Sequence, residues 1–147
     1  MNPILLVSAD RELSRVLKLA LRETQAKVAF ETANPQAAAD ILAQHPGAMV
    51  VLDLFVPESS GLEVLKTLKR VNESGLFLFL SRMRTRALIE RAFRLGAQDV
   101  LHWPVSTDVL RDTILHRLEA QPLPDADEPA EQGSSKPARK KEPPRGS

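Results

Sequence analysis

The chain contains no cysteine, which excludes disulfides and thiolate-held metals. It also lacks any apolar stretch near the roughly 18 residues of a membrane helix, so no span is expected. The first apolar run, Ile4-Leu5-Leu6-Val7, has no basic segment before it and no small-residue cleavage site after it. It does not read as an export signal, and the expected location is cytoplasmic. His45, His102 and His116 are not spaced as metal ligands. No glycine-rich phosphate loop, nucleophile elbow or Walker pattern occurs, so no catalytic activity of the chain's own is expected. No internal repeat is visible.

What is present suits one folded domain with a tail. Hydrophobic residues make up 43% of the 147 positions and charged residues 27%, enough apolar material for a real core. The net charge of +1 conceals an asymmetry. Residues 119–132 hold five acids and no base, whereas residues 133–147 hold five bases and one acid. From Glu119 onward the only apolar residue larger than alanine is Leu123. Such a segment cannot bury enough surface to offset its ordering entropy. The expectation is therefore a folded domain over residues 1–118 and a disordered, charged, Pro-rich tail over 119–147.

Within the first 118 residues, apolar runs alternate with helical patterns. Ile4–Val7 reads as a strand buried on both faces. Asp10 is placed to cap a helix carrying Leu13, Val16, Leu17, Ala20 and Leu21 on one stripe. Lys27–Phe30 reads as a weak edge strand, and Asn34-Pro35 as a cap with proline at the first position of a helix running to about Gln44. Met49–Leu54 is apolar except for Asp53, and a loop and a helix with Leu62, Leu65 and Leu68 inward follow. Leu76–Leu80 is a strand, Thr85–Leu95 a helix stopped by Gly96, Val100–His102 a strand and Val109–Leu118 the last helix. Five strand–helix alternations argue an α/β fold, a five-stranded parallel doubly wound sheet. Ligands of such sheets sit beyond the carboxyl ends of the strands, which points to Ser8, Asp53 and Ser81.

At these positions the chain resembles a response-regulator receiver domain over residues 4–118. The resemblance rests on Val50 to Pro57 with Asp53 and then Gly61, on Ser81, and on Gly96-Ala97-Gln98-Asp99 followed by Pro104. It implies the flavodoxin-like receiver fold with strand order 2-1-3-4-5, a role in bacterial two-component signalling, and Asp53 as the phosphoacceptor equivalent. The chemical positions depart from the family's pattern. The family's acidic pair that holds Mg²⁺ falls at Ser8 and Ala9, its lysine at Trp103, and its small residue after the Ser/Thr position at Arg82. The aromatic switch position falls at Val100. Losing two carboxylates should leave Mg²⁺ binding weak or absent, so no cofactor is expected. The resulting expectation is a pseudo-receiver acting as a phosphorylation-independent protein-interaction module. A phosphorelay receiver still phosphorylated on Asp53 by a histidine kinase is one alternative.

A carboxylate at the end of a buried strand needs a partner. Arg82, Arg84 and Arg86 are candidates, and Arg82, next to Ser81, is expected to form a bidentate pair with Asp53. Arg82, Arg84, Arg86, Arg91 and Arg94 put five arginines in 13 residues. With Val100 and Trp103 they form the expected surface for a protein partner in a signalling pathway, one with an acidic face. Nucleic acid is not expected there, because no interleaved aromatics accompany the charge. A second alternative is an adaptor that uses tail residues Lys136, Arg139, Lys140 and Lys141 on nucleic acid or a membrane surface. The sequence leaves a homodimer open.

Overall fold

A computed structural model of the chain describes residues 3–56, 59–83 and 85–120. Arg84, Pro57 and the tail from residue 121 onward lie outside the described residues, and with them the expectations placed on them.

The elements follow in the order β1 (Ile4–Val7), α1 (Arg11–Ala20), β2 (Val28–Thr32), α2 (Pro35–Gln44), β3 (Met49–Asp53), β4 (Phe55–Val56), β5 (Ser59–Ser60), α3 (Gly61–Val71), β6 (Leu76–Ser81), α4 (Arg86–Arg94), β7 (Asp99–His102) and α5 (Thr107–Ala120). The main sheet is parallel, in the order β2-β1-β3-β6-β7. Counting only its own strands, that is 2-1-3-4-5. A small antiparallel ladder, β4 with β5, fills what reads in the sequence as a loop.

Strand alternation divides the core into two layers. Leu5, Val7, Val50, Leu52, Phe77 and Phe79 face α2, α3 and α4, where they meet Ala38, Leu42, Leu65, Leu68 and Ala92. Ile4, Leu6, Met49, Val51, Leu78 and Leu80 face the other way, onto Leu13 and Leu17 of α1 and Leu110, Ile114 and Leu118 of α5. The three central strands are apolar on both faces because helices cover both. β2 is an edge, as its mixed composition implies, but it runs to Thr32 rather than Phe30. An edge strand tolerates Glu31 because one face meets solvent, and there Ser14 donates to Glu31 at 2.6 Å while Lys18 pairs with it.

Local signals set the helix ends. Asp10 Oδ1 accepts from the Glu12 amide at 2.9 Å, and Asn34 Oδ1 from the Ala37 amide at 3.0 Å. α5 begins two residues before Val109, because Ser106 Oγ caps the Val109 amide at 3.1 Å. It continues to Ala120, two residues past the expected boundary. Gly96, at φ +115°, ends the α4 turn. Gly61 is required by close approach: a Cβ there would lie 2.6 Å from Leu54 Cα. Its amide donates to Leu54 O at 2.8 Å, bringing the start of α3 against the end of β3.

Candidate functional site

The carboxyl ends of β1, β3 and β6 stand side by side, and each delivers one of the polar residues singled out above. Asp53 ends β3 at 3% exposure and Ser81 ends β6 at 2%. They are the polar members of the buried set among the described residues. Ser8 follows β1 half-buried, and its hydroxyl donates to Asp53 Oδ2 at 2.8 Å. Ser8 Oγ also accepts the Asp10 amide at 2.9 Å. Ser8 therefore ties the acceptor-position carboxylate to the loop that opens α1. Ala9 is exposed beside it.

The Ser81 hydroxyl is engaged locally. It donates to Met83 O at 2.9 Å and accepts the Met83 amide at 3.0 Å, a tight local turn at the end of β6. Arg82, at the head of that turn, does not make the bidentate pair with Asp53 expected from the sequence. Its guanidinium pairs with Asp10 Oδ2 instead. The physical reason is desolvation. The Arg82 side chain stays 42% exposed and Asp10 24% exposed in this pair, whereas a guanidinium brought to Asp53 would give up its water at a nearly closed position. β3 lies between β1 and β6 in the sheet, so the Asp10–Arg82 pair joins the loops on either side of Asp53. His102 Nε2 lies 3.2 Å from Arg82 O and anchors the backbone of that turn to the end of β7.

Asp10 thus serves twice, with one oxygen capping α1 and the other on Arg82. Burial pushes its carboxyl up, but the Arg82 hydrogen bond and the Glu12 and Leu13 amides outweigh this and hold it below its ordinary value of 3.8. The sequence identified the cap and missed the ion pair. The available signal was that a cap occupies one carboxylate oxygen and leaves the other available.

Trp103 does not join the partner surface. It is 6% exposed and packs in the layer of Leu13, Leu110 and Ile114. Its amide extends the ladder to Ser81 O at 2.7 Å, and the Trp103–Pro104 peptide is cis. An indole gains far more by filling the apolar layer than by standing among the polar groups at the strand ends. Pro104 is exposed, and Val100 is half-buried against the α2–α4 layer. Arg86, Arg91 and Arg94 are exposed on α4, with Arg86 3.7 Å from Glu90. Phe93 and Met83, which sequence reasoning passed over, are each 47% exposed on and beside that helix.

The donor set around Asp53 differs from the one Mg²⁺ takes. Among the described residues it offers one carboxylate and a hydroxyl that donates to it, while both Asp10 oxygens accept other hydrogen bonds. Among the described residues no three acidic or imidazole side chains converge to hold a metal. The described residues do not supply the set of carboxylates that the ion takes.

Comparison with known proteins gives this arrangement its family. The model of the response regulator receiver domain matches residues 4–115, and the chain belongs to that family. Sporulation initiation phosphotransferase F of Bacillus subtilis (strain 168) is 26% identical over 114 residues, 78% of this chain and 92% of that protein. Chemotaxis protein CheY of the same organism is 24% identical over 111 residues, 76% of this chain and 92% of its own. Among solved structures, a CheY-like receiver domain protein from Methanospirillum hungatei JF-1 has a TM-score of 0.73 at 17% identity, covering 82% of this chain and 95% of that one. A response regulator from Thermotoga maritima has a TM-score of 0.72 at 22% identity, covering 81% and 98%. The protein is a receiver domain of two-component signalling.

Proposed function

We propose that this receiver works as a docking module whose output does not depend on phosphorylation of Asp53. The observation that carries this reading is the Ser8–Asp53 hydrogen bond at 2.8 Å. The position that resembles a metal-binding carboxylate holds a hydroxyl, and that hydroxyl is turned onto the acceptor oxygen. Phosphoryl transfer needs a cation to balance developing charge. Ser8 and Ala9 supply no anionic ligand for Mg²⁺, and the position that resembles the family's lysine holds the buried Trp103. Arg82 is committed to Asp10. Mg²⁺ should bind no tighter than on the order of tens of millimolar.

The docking surface is the outer face of α4. Phe93 shares its side of the helix with Arg86 and Glu90, while Arg94 and Arg91 lie further round the exposed surface, and Met83 comes just before the helix. An exposed aromatic on a helix whose outer surface also carries Arg86, Arg91 and Arg94 suits a protein partner with acidic groups beside an apolar pocket.

The test is to add beryllofluoride and Mg²⁺ while recording amide NMR spectra. Unchanged spectra are expected. Saturable shifts at Asp53 and Ser81 at sub-millimolar Mg²⁺ would establish a working phosphorelay receiver instead. Restoring two carboxylates, Ser8→Asp with Ala9→Asp, should bring Mg²⁺-dependent shifts back to the Asp53 amide.

A further inference from the structure

Six of the fourteen described lysine and arginine side chains stand in ion pairs: Arg15 with Glu12, Lys18 with Glu31, Arg82 with Asp10, Arg86 with Glu90, Arg111 with Asp108 and Asp112, and Arg117 with Asp99. Lys66, Lys69, Arg70 and Arg94 take part in none of these ion pairs of the described residues. They line one cleft of about 450 Å³ between the carboxyl-terminal ends of α3 and α4, together with Glu73 and Leu95. Cations are favoured at helix carboxyl ends, but each helix contributes only about half a negative charge there. With Glu73 included, the cleft keeps a surplus of about two positive charges.

Lys69 is fixed rather than loose. Its ammonium sits 5.1 Å from the centre of the Phe77 ring, and its stem lies over Gly96, where a Cβ would come within 2.6 Å of Lys69 Cε. Burial lowers its affinity for a proton, and the Glu73 charge offsets this only in part. The cleft therefore presents a concentration of positive charge that attracts an anion.

We infer that the occupant is the acidic stretch of this chain's own tail, Asp125 to Glu131. That stretch carries Asp125, Asp127, Glu128 and Glu131 with no base among them. α5 ends at Ala120 on the same end of the sheet. Arg117, in its last turn, donates to Gln98 O at 3.2 Å, two residues from the Gly96 that supports Lys69. The eleven residues from 121 to 131 reach up to roughly 35–40 Å when extended, ample for passing the β7 edge to the cleft. Tethering raises the local concentration of the acids to the order of millimolar, so weak, salt-screened contacts suffice. The stretch then covers Arg94, one of the cations of the α4 docking face, and competes with an acidic partner for it. The inference stands independently of whether Asp53 is phosphorylated.

The test uses the full chain. Since it has no native cysteine, Ala130→Cys carries a single nitroxide. Amides of residues 66–73 and 91–96 should lose at least half their intensity at about 10 mM salt, and recover at about 1 M, where the screening length falls to roughly 3 Å. Neutralising the acids (D125N, D127N, E128Q and E131Q) should abolish the effect, as should Arg70→Glu with Arg94→Glu, both exposed positions. No broadening at the cleft, or broadening that survives neutralisation, overturns the inference. So does broadening in a mixture of nitroxide-bearing chains with isotope-labelled, nitroxide-free ones, which would mean that a second copy is the occupant.

Discussion

Replacing Ser8 with alanine removes two hydrogen bonds at once, and the structure sets the size of the effect. The Ser8 hydroxyl donates to Asp53 Oδ2 at 2.8 Å and accepts from the Asp10 amide at 2.9 Å. A hydrogen bond to a charged group contributes about 1.5–3 kcal/mol and a neutral one about 0.5–1.5. Ser8 is half-buried, so water reaches the vacated position and recovers part of both. The expected cost of Ser8→Ala is therefore about 2 kcal/mol, a drop of roughly 6–10 °C in melting temperature for a domain of this size. Urea unfolding should show a lower midpoint with an unchanged slope. Asp53→Asn keeps an acceptor for the hydroxyl and removes the charge, so it should cost less. The double variant should be less destabilised than the singles together by about 1 kcal/mol, because Ser8→Ala removes, and Asp53→Asn weakens, the same charge-assisted hydrogen bond. A Ser8→Ala cost under about 0.5 kcal/mol, or strict additivity in the cycle, would refute the view that this bond holds the Asp53 carboxylate.

The Asp10–Arg82 pair is partly exposed, so Arg82→Ala should cost only about 0.5–1 kcal/mol in urea unfolding, and its effect should add to that of Asp53→Asn. Asp10 titrates below its ordinary 3.8, so its contribution is present above that pH and is lost as pH falls through the lower folded value. Arg82→Ala should accordingly flatten the acid limb of a stability–pH curve, and an unchanged limb would contradict the assignment. Gly61→Ala places a Cβ 2.6 Å from Leu54 Cα and 2.8 Å from Asp53 O. It should destabilise by about 1–3 kcal/mol and shift the Asp53 amide, and a neutral result would argue against the close approach. Trp103→Ala opens a cavity between the sheet and α1 and α5 and should cost about 3–5 kcal/mol. The wild-type indole should be shielded from acrylamide quenching, and ready quenching would return Trp103 to the surface.

What could be read from the sequence is what depends on near neighbours along the chain. The three central strands, the Asp10 and Asn34 caps, Pro35 opening α2 and the Gly96 stop are each specified by a few consecutive residues, and all are observed. Strand–helix alternation with short connections then leaves few topologies, which is why the parallel doubly wound sheet was legible before any coordinates. The resemblance added the strand order and marked Asp53. Boundaries drifted where polar residues took part in regular structure, as with Glu31-Thr32 of β2 and Thr107-Asp108 of α5. Those residues are stabilised by partners the local pattern does not contain, Lys18 and Ser14 for Glu31 and the Ser106 cap for α5.

The candidate site was legible as a set of positions and not as a set of contacts. Ser8, Asp53 and Ser81 were placed together because strand ends converge in this topology. Which of two carboxylates Arg82 chooses depends on a partner 72 positions away in the chain and on how much water each arrangement keeps. No local pattern encodes that difference. Trp103 teaches the same lesson in reverse, since a strand-end residue read as exposed turned into the apolar layer once α1 and α5 offered it a surface. Sequence alone determined the elements, their order and the residues at the strand ends, because secondary structure and caps are set by neighbours within a few positions. Only the tertiary structure decided the pairing of Asp10 with Arg82, the turn of Ser8 onto Asp53 and the burial of Trp103, because these depend on desolvation and reach between segments far apart in the chain.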